Sequence, residues 1–550
     1  MTMKKHFLLS AVLLCSFIVK AELANCIKAA IQEGKSSVTL EKKIYSQPKA
    51  IKLQNVKNFT IDGNGATLII QRNTECAFKL VNCENVTIKN ITVDYSTLPF
   101  TQGRVTKVEG NKFYFTVDKG YPALNKNFEK SYIHLFTPDG EWKKSSADVY
   151  GKLKAISADC GVFTVRGKHV VEVNDKVAVN FRSPSAFSIS RCGKLDFKDI
   201  TIHASPGVAF HSRYGRGKMS FDGIKIVRTA PPAGADAPRL LACCADGINL
   251  GTSSGGAVIK NCEFSYLGDD GINFHSELLP VAKKRSGNSF ATIYPYGQFK
   301  THFEEVFKKG DEMIFVRQGD YKIIARAHLE SIKVSGKREE LIRLAPKFFP
   351  VRGTSGVSAY EITMQENIDV PENCFFYIPA SGVAGFEITG NYFHDHRARG
   401  IRIMSSNGVI ADNRFERLKG AAVTLGGEFN YWRESGWCSN ITIKNNIMRE
   451  IGYSSINLAT SYTPGVISTF ARLDGKRFVP VPENRNLVIE NNIISDSPGA
   501  AIFLYAADNV ILRNNKIEKC ATSKEIPGKA NGYKNFTPIW LQNSKNIKTR

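Results

Sequence analysis

The chain has 550 residues, of which 43% are hydrophobic and 23% are charged, an ordinary globular composition that excludes wholesale disorder and a collagen-like fibre. This length exceeds one typical domain and predicts either roughly two to four domains or one long solenoid with insertions. The formal charge of +23 comes without a block of lysine and arginine or a nucleic-acid-binding motif. It therefore indicates lysines spread over the surface and no nucleic-acid partner, with an anionic polysaccharide as the functional alternative.

The first residues have the pattern of a secretory signal. Lys4 and Lys5 form a positive segment, an apolar run follows over 7–19, and small residues precede the predicted cleavage site. We therefore expect 1–21 to be a cleavable signal peptide and the mature protein to be periplasmic or secreted. A lipid anchor at Cys15 is not favoured because bulky leucines precede it. No later stretch reaches the roughly 18 apolar residues of a membrane helix, so the sequence predicts no membrane span.

The 12 cysteines are scattered along the chain. They follow no CxxC or Cys/His spacing, so the sequence predicts no metal site of that kind. A dispersed set in a large chain is typical of buried apolar filler. One or two disulfides stay open, because the sequence does not pair the cysteines.

A short motif recurs along most of the chain: two apolar residues in alternation, then Asn or Asp, then a second alternating pair and a turn. It occurs at 56–63, 85–93, 195–202, 385–391, 408–413, 440–446, 486–492 and 509–515. One such unit cannot bury its apolar face, whereas stacked units can, because each coil covers the next. The period therefore predicts an all-β fold, a right-handed parallel β-helix, with the asparagines stacked as ladders of side-chain amides at the turns.

Two segments of alternating strands interrupt this period, at 95–183 and at 281–378. We expect each to be a small inserted β-barrel, which leaves β-helix coils over 22–94, 184–280 and 379–550. Because the insertions start and stop inside the solenoid, we expect them to wall the functional site or to bind a glycan. The alternative is that they are structural additions without a functional role.

Two consecutive coils carry the candidate catalytic residues. One reads Asp246-Gly-Ile-Asn and the next reads Asp269-Asp270-Gly-Ile-Asn, so Asp246 and Asp270 share one register position. Registered residues of stacked parallel strands lie roughly 5 Å apart, and like charges so close raise at least one pKa. A protonated acid beside ionised carboxylates is what glycosidic hydrolysis needs. The alternatives are that the aspartates are turn residues or ligands of Ca²⁺.

These phrases resemble the catalytic signature of polygalacturonases, glycoside hydrolase family 28. The whole layout, with a signal peptide, a β-helix, one insertion before the aspartates and one just after them, more closely resembles family 110, the bacterial exo-acting α-1,3-galactosidases. The resemblance covers nearly the whole mature chain. It implies an inverting hydrolase that removes terminal α-1,3-linked galactose without metal or cofactor. It also implies that Asp269 is the general acid and that Asp246 and Asp270 position and activate water.

Other polar residues near these coils are candidates for binding the sugar. Continuing the register places Arg399 above Asp270. The remaining candidates, each of which could instead be ordinary loop polarity or packing, are His211, Arg213, His275, His394, His396, Arg397, Glu428 and Trp432. Polygalacturonases resembling this chain hold a uronate with an Arg-Ile-Lys phrase, and the corresponding strand at 401–404 has no lysine. A neutral sugar is therefore favoured over a uronate.

Several other functions fit parts of the sequence. A polygalacturonase-like hydrolase, a hydrolase of sulfated galactan and a Ca²⁺-dependent lyase would use the same fold. A non-catalytic glycan-binding solenoid would explain the coils and insertions but not three registered aspartates. The sequence leaves open whether the galactose belongs to a linear or a branched glycan, whether the protein is periplasmic or extracellular, and its oligomeric state.

Overall fold

The computed structural model describes residues 22–130, 132–146, 148–285, 287–294, 301–348, 357–429, 432–453, 464–473, 477–523 and 537–549. The predicted signal peptide lies outside these ranges. Within them, no helix is long and apolar enough to cross a membrane.

The coils stack into a parallel β-helix with three faces, which confirms the predicted fold class. Three long strands run across the first and second faces: Lys57–Ile70, Glu84–Tyr95 and Leu195–Ile202. The first face continues with Ser37–Thr39, Met219–Asp222, Ala257–Lys260, Glu387–Thr389, Gly408–Ala411, Ser439–Lys444, Asn484–Glu490, Ala507–Arg513 and Lys545–Thr549. The second face continues with Ile44–Gln47, Lys225–Ile226, Glu263–Ser265, Tyr392–His394, Arg414–Leu418, Ile447–Ile451, Ile493–Ser497 and Lys516–Cys520.

The third face is a separate parallel sheet, called the site sheet below. Its strands, in spatial order, are Ile51–Gln54, Phe78–Val81, Phe187–Ser190, Phe210–Arg213, Ile248–Gly251, Ile272–Glu277, Ile401–Ile403, Val423–Leu425, Gly465–Thr469, Ala500–Tyr505 and Ile539–Gln542. A short strand, Glu434–Ser435, pairs antiparallel with the end of Ile272–Glu277. This sheet follows chain order, so a side chain on one coil lies beside its counterpart on the next.

The core of the solenoid is built from side chains at equivalent positions of successive coils. On the site sheet, Phe78, Phe187 and Phe210 stack with ring centroids 5.0 Å and 4.4 Å apart. The alternation of apolar and polar residues sends these rings inward and the residues between them outward. Because a slip of one residue would turn the rings to solvent, this packing holds the register between coils.

The predicted asparagine ladder is confirmed at one turn of the β-helix. Asn391, Asn413, Asn446, Asn492 and Asn515 lie on successive coils, and each side-chain amide donates to the amide oxygen of the next at 2.9–3.0 Å. These amides satisfy one another in the interior, where unpaired polar groups would be costly. The asparagines therefore have a structural role.

The N-terminal end of the solenoid differs from the predicted coil. Residues Glu22–Gln32 form an α-helix, whose Leu23, Ile27 and Ala30 are buried in the solenoid core. Their spacing of three to four residues places them on one helix face. The helix covers apolar side chains that the first coil would otherwise expose, as the end of a solenoid requires.

The first interruption contains a six-stranded antiparallel sheet made from Phe100–Glu109, Lys112–Val117, Tyr132–Phe136, Gly151–Ala155, Cys160–Val165 and Lys176–Asn180, with a 3-10 turn at Phe128–Lys130. It docks on the coils of the site sheet. The indole nitrogen of Trp142 donates to the carbonyl of Asp395 at 2.8 Å, and the amide of Asn180 donates to the carbonyl of Cys244 at 2.9 Å. The insertion therefore reaches the coil that carries Asp246.

The second interruption contains a seven-stranded antiparallel sheet made from Leu279–Pro280, Lys283–Lys284, Ser289–Tyr294, Glu312–Val316, Ile323–Val334, Ser358–Met364 and Phe375–Tyr377. Short helices at Phe303–Val306 and Arg338–Ile342 and 3-10 turns at Ala345–Lys347 and Pro379–Ser381 accompany it. Glu305 of this insertion pairs with Arg191 at 3.3 Å and Arg216 at 3.4 Å on the solenoid.

The cysteines at described positions all carry free thiols. Most are buried, including Cys243 and Cys244, where they pack as small apolar side chains. This agrees with the prediction of buried filler, and within the described ranges no disulfide joins them.

Candidate active site

Asp246, Asp269 and Asp270, called the aspartate cluster below, lie together at the start of two neighbouring strands of the site sheet. Ile248 pairs with Ile272, so Asp246 stands beside Asp270. One carboxylate oxygen from each of the three aspartates lies within 4.8 Å of the others. The side chain of Asp269 is 21% exposed, whereas Asp246 and Asp270 are buried. Asp269 is thus the member of the cluster at its open edge.

The glycine after each aspartate is required by the stacking of the coils. A Cβ atom on Gly247 would lie 2.5 Å from the carbonyl oxygen of Gly271, and one on Gly271 would lie 2.5 Å from that of Gly400. Only glycine fits this close approach. The repeated Asp-Gly phrase therefore reflects contact between coils, and it sets the two carboxylates at the same height on the sheet.

Three arginines, Arg182, Arg397 and Arg399, hold the aspartate cluster. Arg399 binds both oxygens of Asp270, with Nε–Oδ1 at 2.8 Å and Nη2–Oδ2 at 2.7 Å. Arg182 donates to Oδ2 of Asp269, and Arg397 donates to Oδ1 at 3.3 Å. The three arginines neutralise much of the charge that the cluster concentrates.

A carboxylate from the first insertion fixes one of these arginines. Asp148 accepts from Nε and Nη2 of Arg397 at 2.7 Å and 2.6 Å. Both side chains are more than nine-tenths buried. Removing one partner of such a pair leaves an uncompensated buried charge, so Arg397 has little freedom to move.

The pKa values of two of the aspartates move in opposite directions. Burial and the neighbouring charges of Asp269 and Asp270 raise the pKa of Asp246 well above its ordinary value. Burial also acts to raise the pKa of Asp269, but Arg182 and Arg397 outweigh it and hold that pKa well below its ordinary value. Of these two aspartates, Asp246 is therefore the one whose neutral form the fold favours, although the family resemblance implies Asp269 as the acid.

The aspartate cluster has the oxygen atoms that a cation would need, since one from each residue lies within 4.8 Å of the others. The three arginines already occupy several of these oxygens and bring three positive charges to the same place. A divalent cation would be repelled by those charges and would have to break the hydrogen bonds. The geometry fits a carboxylate–guanidinium network better than a calcium site.

A second group of charged residues lies at the far end of the strand Ile272–Glu277, whose start carries Asp269 and Asp270. Glu277 and Glu434 face each other across the antiparallel pair, and burial raises the pKa of each to about 7. His275 Nε2 lies 3.7 Å from Glu434 Oε1, and burial lowers the pKa of His275 well below its ordinary value. Arg213 extends from this group and donates to Oδ1 of Asn249 at 2.8 Å. The Nδ2 atom of Asn249 donates in turn to Oδ2 of Asp246 at 2.7 Å.

The structure separates some predicted binding residues from the aspartate cluster. His394 lies on the second face, where it contacts Asp395 Oδ2 at 2.7 Å and Glu263 Oε1 at 3.3 Å. His396 is buried under the turn that carries the arginines, 3.0 Å from the carbonyl oxygen of Arg399, and burial lowers its pKa to about 4. Both histidines therefore bond to residues at or near this turn, and within the described part of the chain neither hydrogen-bonds to the aspartate cluster.

The other predicted binding residues lie along the site sheet or near it. His211 is half-buried and lies on the coil that precedes Asp246, where it is the register partner of Asn249. Glu428 is buried, 3.7 Å from Arg472. Trp432 is 57% exposed.

Sequence reasoning missed several residues that the fold brings to the site. Asn249 belongs to the repeated Asp-Gly-Ile-Asn phrase, so its recurrence in both coils was a usable signal. Arg182 meets Asp269 across 87 positions and Asp148 meets Arg397 across 249 positions. Glu434 lies opposite Glu277 on a short strand that pairs antiparallel with the end of Ile272–Glu277. No local pattern announces such contacts.

A family model agrees with the fold over part of the chain. The family model described as "Right handed beta helix region" matches residues 357–470. Among solved structures, the A-module of a mannuronan C-5 epimerase from Azotobacter vinelandii is 11% identical with a TM-score of 0.39, covering 91% of this chain and 92% of that one. An exopolygalacturonase from Thermotoga maritima is 12% identical with a TM-score of 0.34, covering 95% of this chain and 86% of that one.

Similar sequences are named for one activity. An "Alpha-1,3-galactosidase B" of Akkermansia muciniphila is 25% identical over 508 residues, which are 86% of this chain and 58% of that protein. Proteins of the same name from Bacteroides fragilis, 24% identical over 85% of this chain and 79% of theirs, and Phocaeicola vulgatus, 23% over 90% and 83%, are also similar. The chain thus spans little more than half the length of the Akkermansia protein, and it is similar along most of its own length to proteins named α-1,3-galactosidase.

Proposed function

We propose that this protein is a glycoside hydrolase that removes terminal α-1,3-linked galactose from glycans. The observation that carries the proposal is the aspartate cluster, in which Asp246, a buried carboxyl with a raised pKa, lies beside Asp269, whose pKa two arginines hold low. Acid and base groups of this kind are the equipment for cleaving a glycosidic bond. The names of the similar sequences supply the sugar and the linkage.

In the proposed reaction the cluster carries one proton. Asp246 stores it in the unliganded enzyme, because burial and two neighbouring carboxylates favour its neutral form. The entering sugar displaces Arg182 from Asp269, which then takes up the proton and donates it to the glycosidic oxygen. Asp246, now ionised, and Asp270 hold the attacking water, and Asp246 receives the proton that the water loses. This cycle returns the cluster to its starting state.

We propose that the anomeric configuration inverts. A nucleophile for a retaining reaction would have to be ionised and free to reach the anomeric carbon. Asp246 is buried and held by the amide of Asn249 at 2.7 Å, and Arg399 holds both oxygens of Asp270. A pair of carboxylates that positions water suits these constraints better than a direct attack.

The test is release of free galactose from Galα1-3Gal, with Galα1-4Gal and Galα1-6Glc as matched controls. We expect rapid release from the α-1,3 disaccharide alone, and NMR of the fresh product should show β-galactose first. α-Galactose as the first product would contradict inversion. Absence of release from all three disaccharides would direct attention to a branched or sulfated galactan and then to the other polysaccharide enzymes.

Treatment with a chelator tests the metal-free mechanism. Because three arginines occupy the oxygens that a cation would use, we expect the rate of galactose release to be unchanged in EDTA. The reaction should also produce no rise in ultraviolet absorbance, since hydrolysis forms no unsaturated sugar. Loss of activity in EDTA with recovery on adding Ca²⁺ would favour the lyase alternative.

A further inference from the structure

Three outward-facing residues form a row on the site sheet beyond the aspartate cluster. Asn273, Arg402 and Thr424 occupy the same position on successive strands. They are 7%, 3% and 0% exposed. Polar side chains are mostly exposed in folded proteins, so a buried row of them needs an explanation.

Each member of the row has a polar atom without a hydrogen-bond partner among the residues that the structure describes. These atoms are Oδ1 of Asn273, Nη1 of Arg402 and Oγ1 of Thr424. Buried polar atoms in folded proteins are nearly always paired, and leaving one unpaired is costly. A row of unpaired donors and acceptors beside catalytic carboxylates indicates a ligand with several hydroxyl groups.

The row begins at the aspartate cluster. Asn249, the neighbour of Asn273 on the previous strand, donates to Asp246 at 2.7 Å. Arg402 lies in the strand Ile401–Ile403, which Arg399 shortly precedes. Burial is the main cause that lowers the pKa of Arg402 to about 10, and the charge of Arg399 is the next. A sugar bound on this row would have its glycosidic bond at the carboxylates.

The two ends of the site differ in exposure. Beyond the row, the guanidinium carbon of Arg402 lies 5.6 Å from the ring centroid of Phe470, which is buried, and the strand Glu434–Ser435 pairs antiparallel with the end of Ile272–Glu277. On the opposite side of the cluster, Arg182 is 27% exposed and its guanidinium covers Tyr132 at 4.7 Å. Tyr132 is 47% exposed. One end is therefore closed and the other open.

We propose that the substrate lies along the solenoid with its terminal galactose on the row Asn273–Arg402–Thr424 and its second sugar against Tyr132. This orientation rests on the proposed function, because an enzyme that removes a terminal sugar needs a closed end for that sugar and an open end for the rest of the glycan. An exposed aromatic ring offers an apolar surface to the C–H face of a pyranose.

The charge around the row suits a neutral sugar. Glu428 and Glu434 both act on Arg402 and oppose the lowering of its pKa. An anionic substituent bound at Arg402 would meet these two carboxylates, whereas hydroxyl groups would meet complementary donors and acceptors. The row therefore selects unsubstituted galactose over its sulfate or a uronate.

The experiment compares two substrates that both need a proton on the leaving oxygen and differ only in the second sugar: methyl α-galactoside and Galα1-3Gal. Arg402→Met should lower kcat/KM for both by the same factor, roughly ten- to a hundredfold. Folding should be preserved, because burial disfavours the charge of Arg402 and its Nη1 has no hydrogen-bond partner among the described residues. Tyr132→Ala should lower the ratio of kcat/KM for the disaccharide to that for the methyl galactoside roughly five- to tenfold.

Two further variants are controls for Tyr132. Tyr132→Phe keeps the ring and should keep the wild-type ratio. Tyr114→Ala removes a ring from Lys112–Val117, three places away in the order of the six-stranded sheet, and should leave the ratio unchanged. If Tyr132→Ala lowers both substrates equally while Arg402→Met affects only the disaccharide, the orientation is reversed and the proposal is wrong.

Failure of the orientation can be told from failure of the proposed function. Wild-type turnover of the two galactosides with unchanged kinetics in Arg402→Met and Tyr132→Ala would overturn the orientation alone. Wild-type binding of methyl α-galactoside without turnover, abolished by Arg402→Met, would support the galactose end and overturn the hydrolase. Neither binding nor turnover of a galactoside would overturn both.

Discussion

Replacing Asp269 with asparagine is expected to lower kcat/KM for Galα1-3Gal roughly a hundred- to ten-thousandfold, the contribution of a general acid. Asparagine has the same shape but cannot donate a proton to the glycosidic oxygen. The variant should fold, although it loses its ion pairs with Arg182 and Arg397 and should melt at a slightly lower temperature. Galactose release and thermal unfolding measure the two effects separately.

Asp246→Asn is expected to lose activity to a similar extent but to change stability in the opposite direction. The pKa of Asp246 is raised in the folded protein, so between the ordinary and the raised pKa the folded chain holds a proton that the unfolded chain releases. Ionisable Asp246 therefore weakens the fold increasingly as the pH rises through this window. Asparagine removes that effect, so the melting temperature should exceed the wild-type value at neutral pH, with a gain that shrinks towards the ordinary carboxyl pKa.

The matched control is Asp196→Asn, which changes a solvent-accessible aspartate near Lys194 and should alter neither activity nor stability measurably. Asp270→Asn is unsuitable as a kinetic test, because it breaks a buried pair with Arg399 and should cost about 3–5 kcal/mol of folding stability. Near wild-type turnover by Asp269→Asn or Asp246→Asn would show that the assigned roles are wrong.

Arg182→Gln is expected to move one limb of the pH profile of kcat/KM, and the limb that moves identifies the role of Asp269. Arg182 is foremost among the charges that hold down the pKa of Asp269, so its removal raises that pKa. If the proton that Asp246 stores is the one that Asp269 donates, as proposed, the cluster keeps it to higher pH without Arg182, because Arg182 also lowers the pKa of Asp246, and the alkaline limb moves to higher pH. We expect a shift of about one to two pH units. The measurement is kcat/KM for Galα1-3Gal across the pH range.

The opposite assignment predicts a different result from the same variant. If Asp269 were the base, it would have to lose its proton, and the raised pKa would move the acidic limb to higher pH. Arg191→Gln removes an arginine that pairs with Glu305 at 3.3 Å, away from the aspartate cluster, and should leave both limbs in place. An Arg182→Gln profile identical to that of the wild type would contradict the control of Asp269 by Arg182.

The coil period, the asparagine ladders and the shared register of Asp246, Asp270 and Arg399 follow from the sequence pattern alone. These features repeat at short range, and in a stacked solenoid equal positions in successive units become neighbours in space. The register could be read from the Ile-Asn phrases alone, because a one-residue slip would expose the core. The N-terminal helix could not be predicted from the coil period, because it is a single element outside the repeat.

How the site is charged and closed depends on contacts between segments that are distant in the sequence. Arg182 and Asp148 come from the first interruption, and Glu434 lies on a short strand that pairs antiparallel with the end of Ile272–Glu277. These contacts depend on how separate segments dock, and no periodicity encodes docking. The opposite pKa shifts of two aspartates follow from the same cause: Arg182 and Arg397 reach Asp269, whereas Asp246 is buried beside two other carboxyl groups. Burial and nearby charge, which set a carboxyl pKa, are properties of the folded neighbourhood.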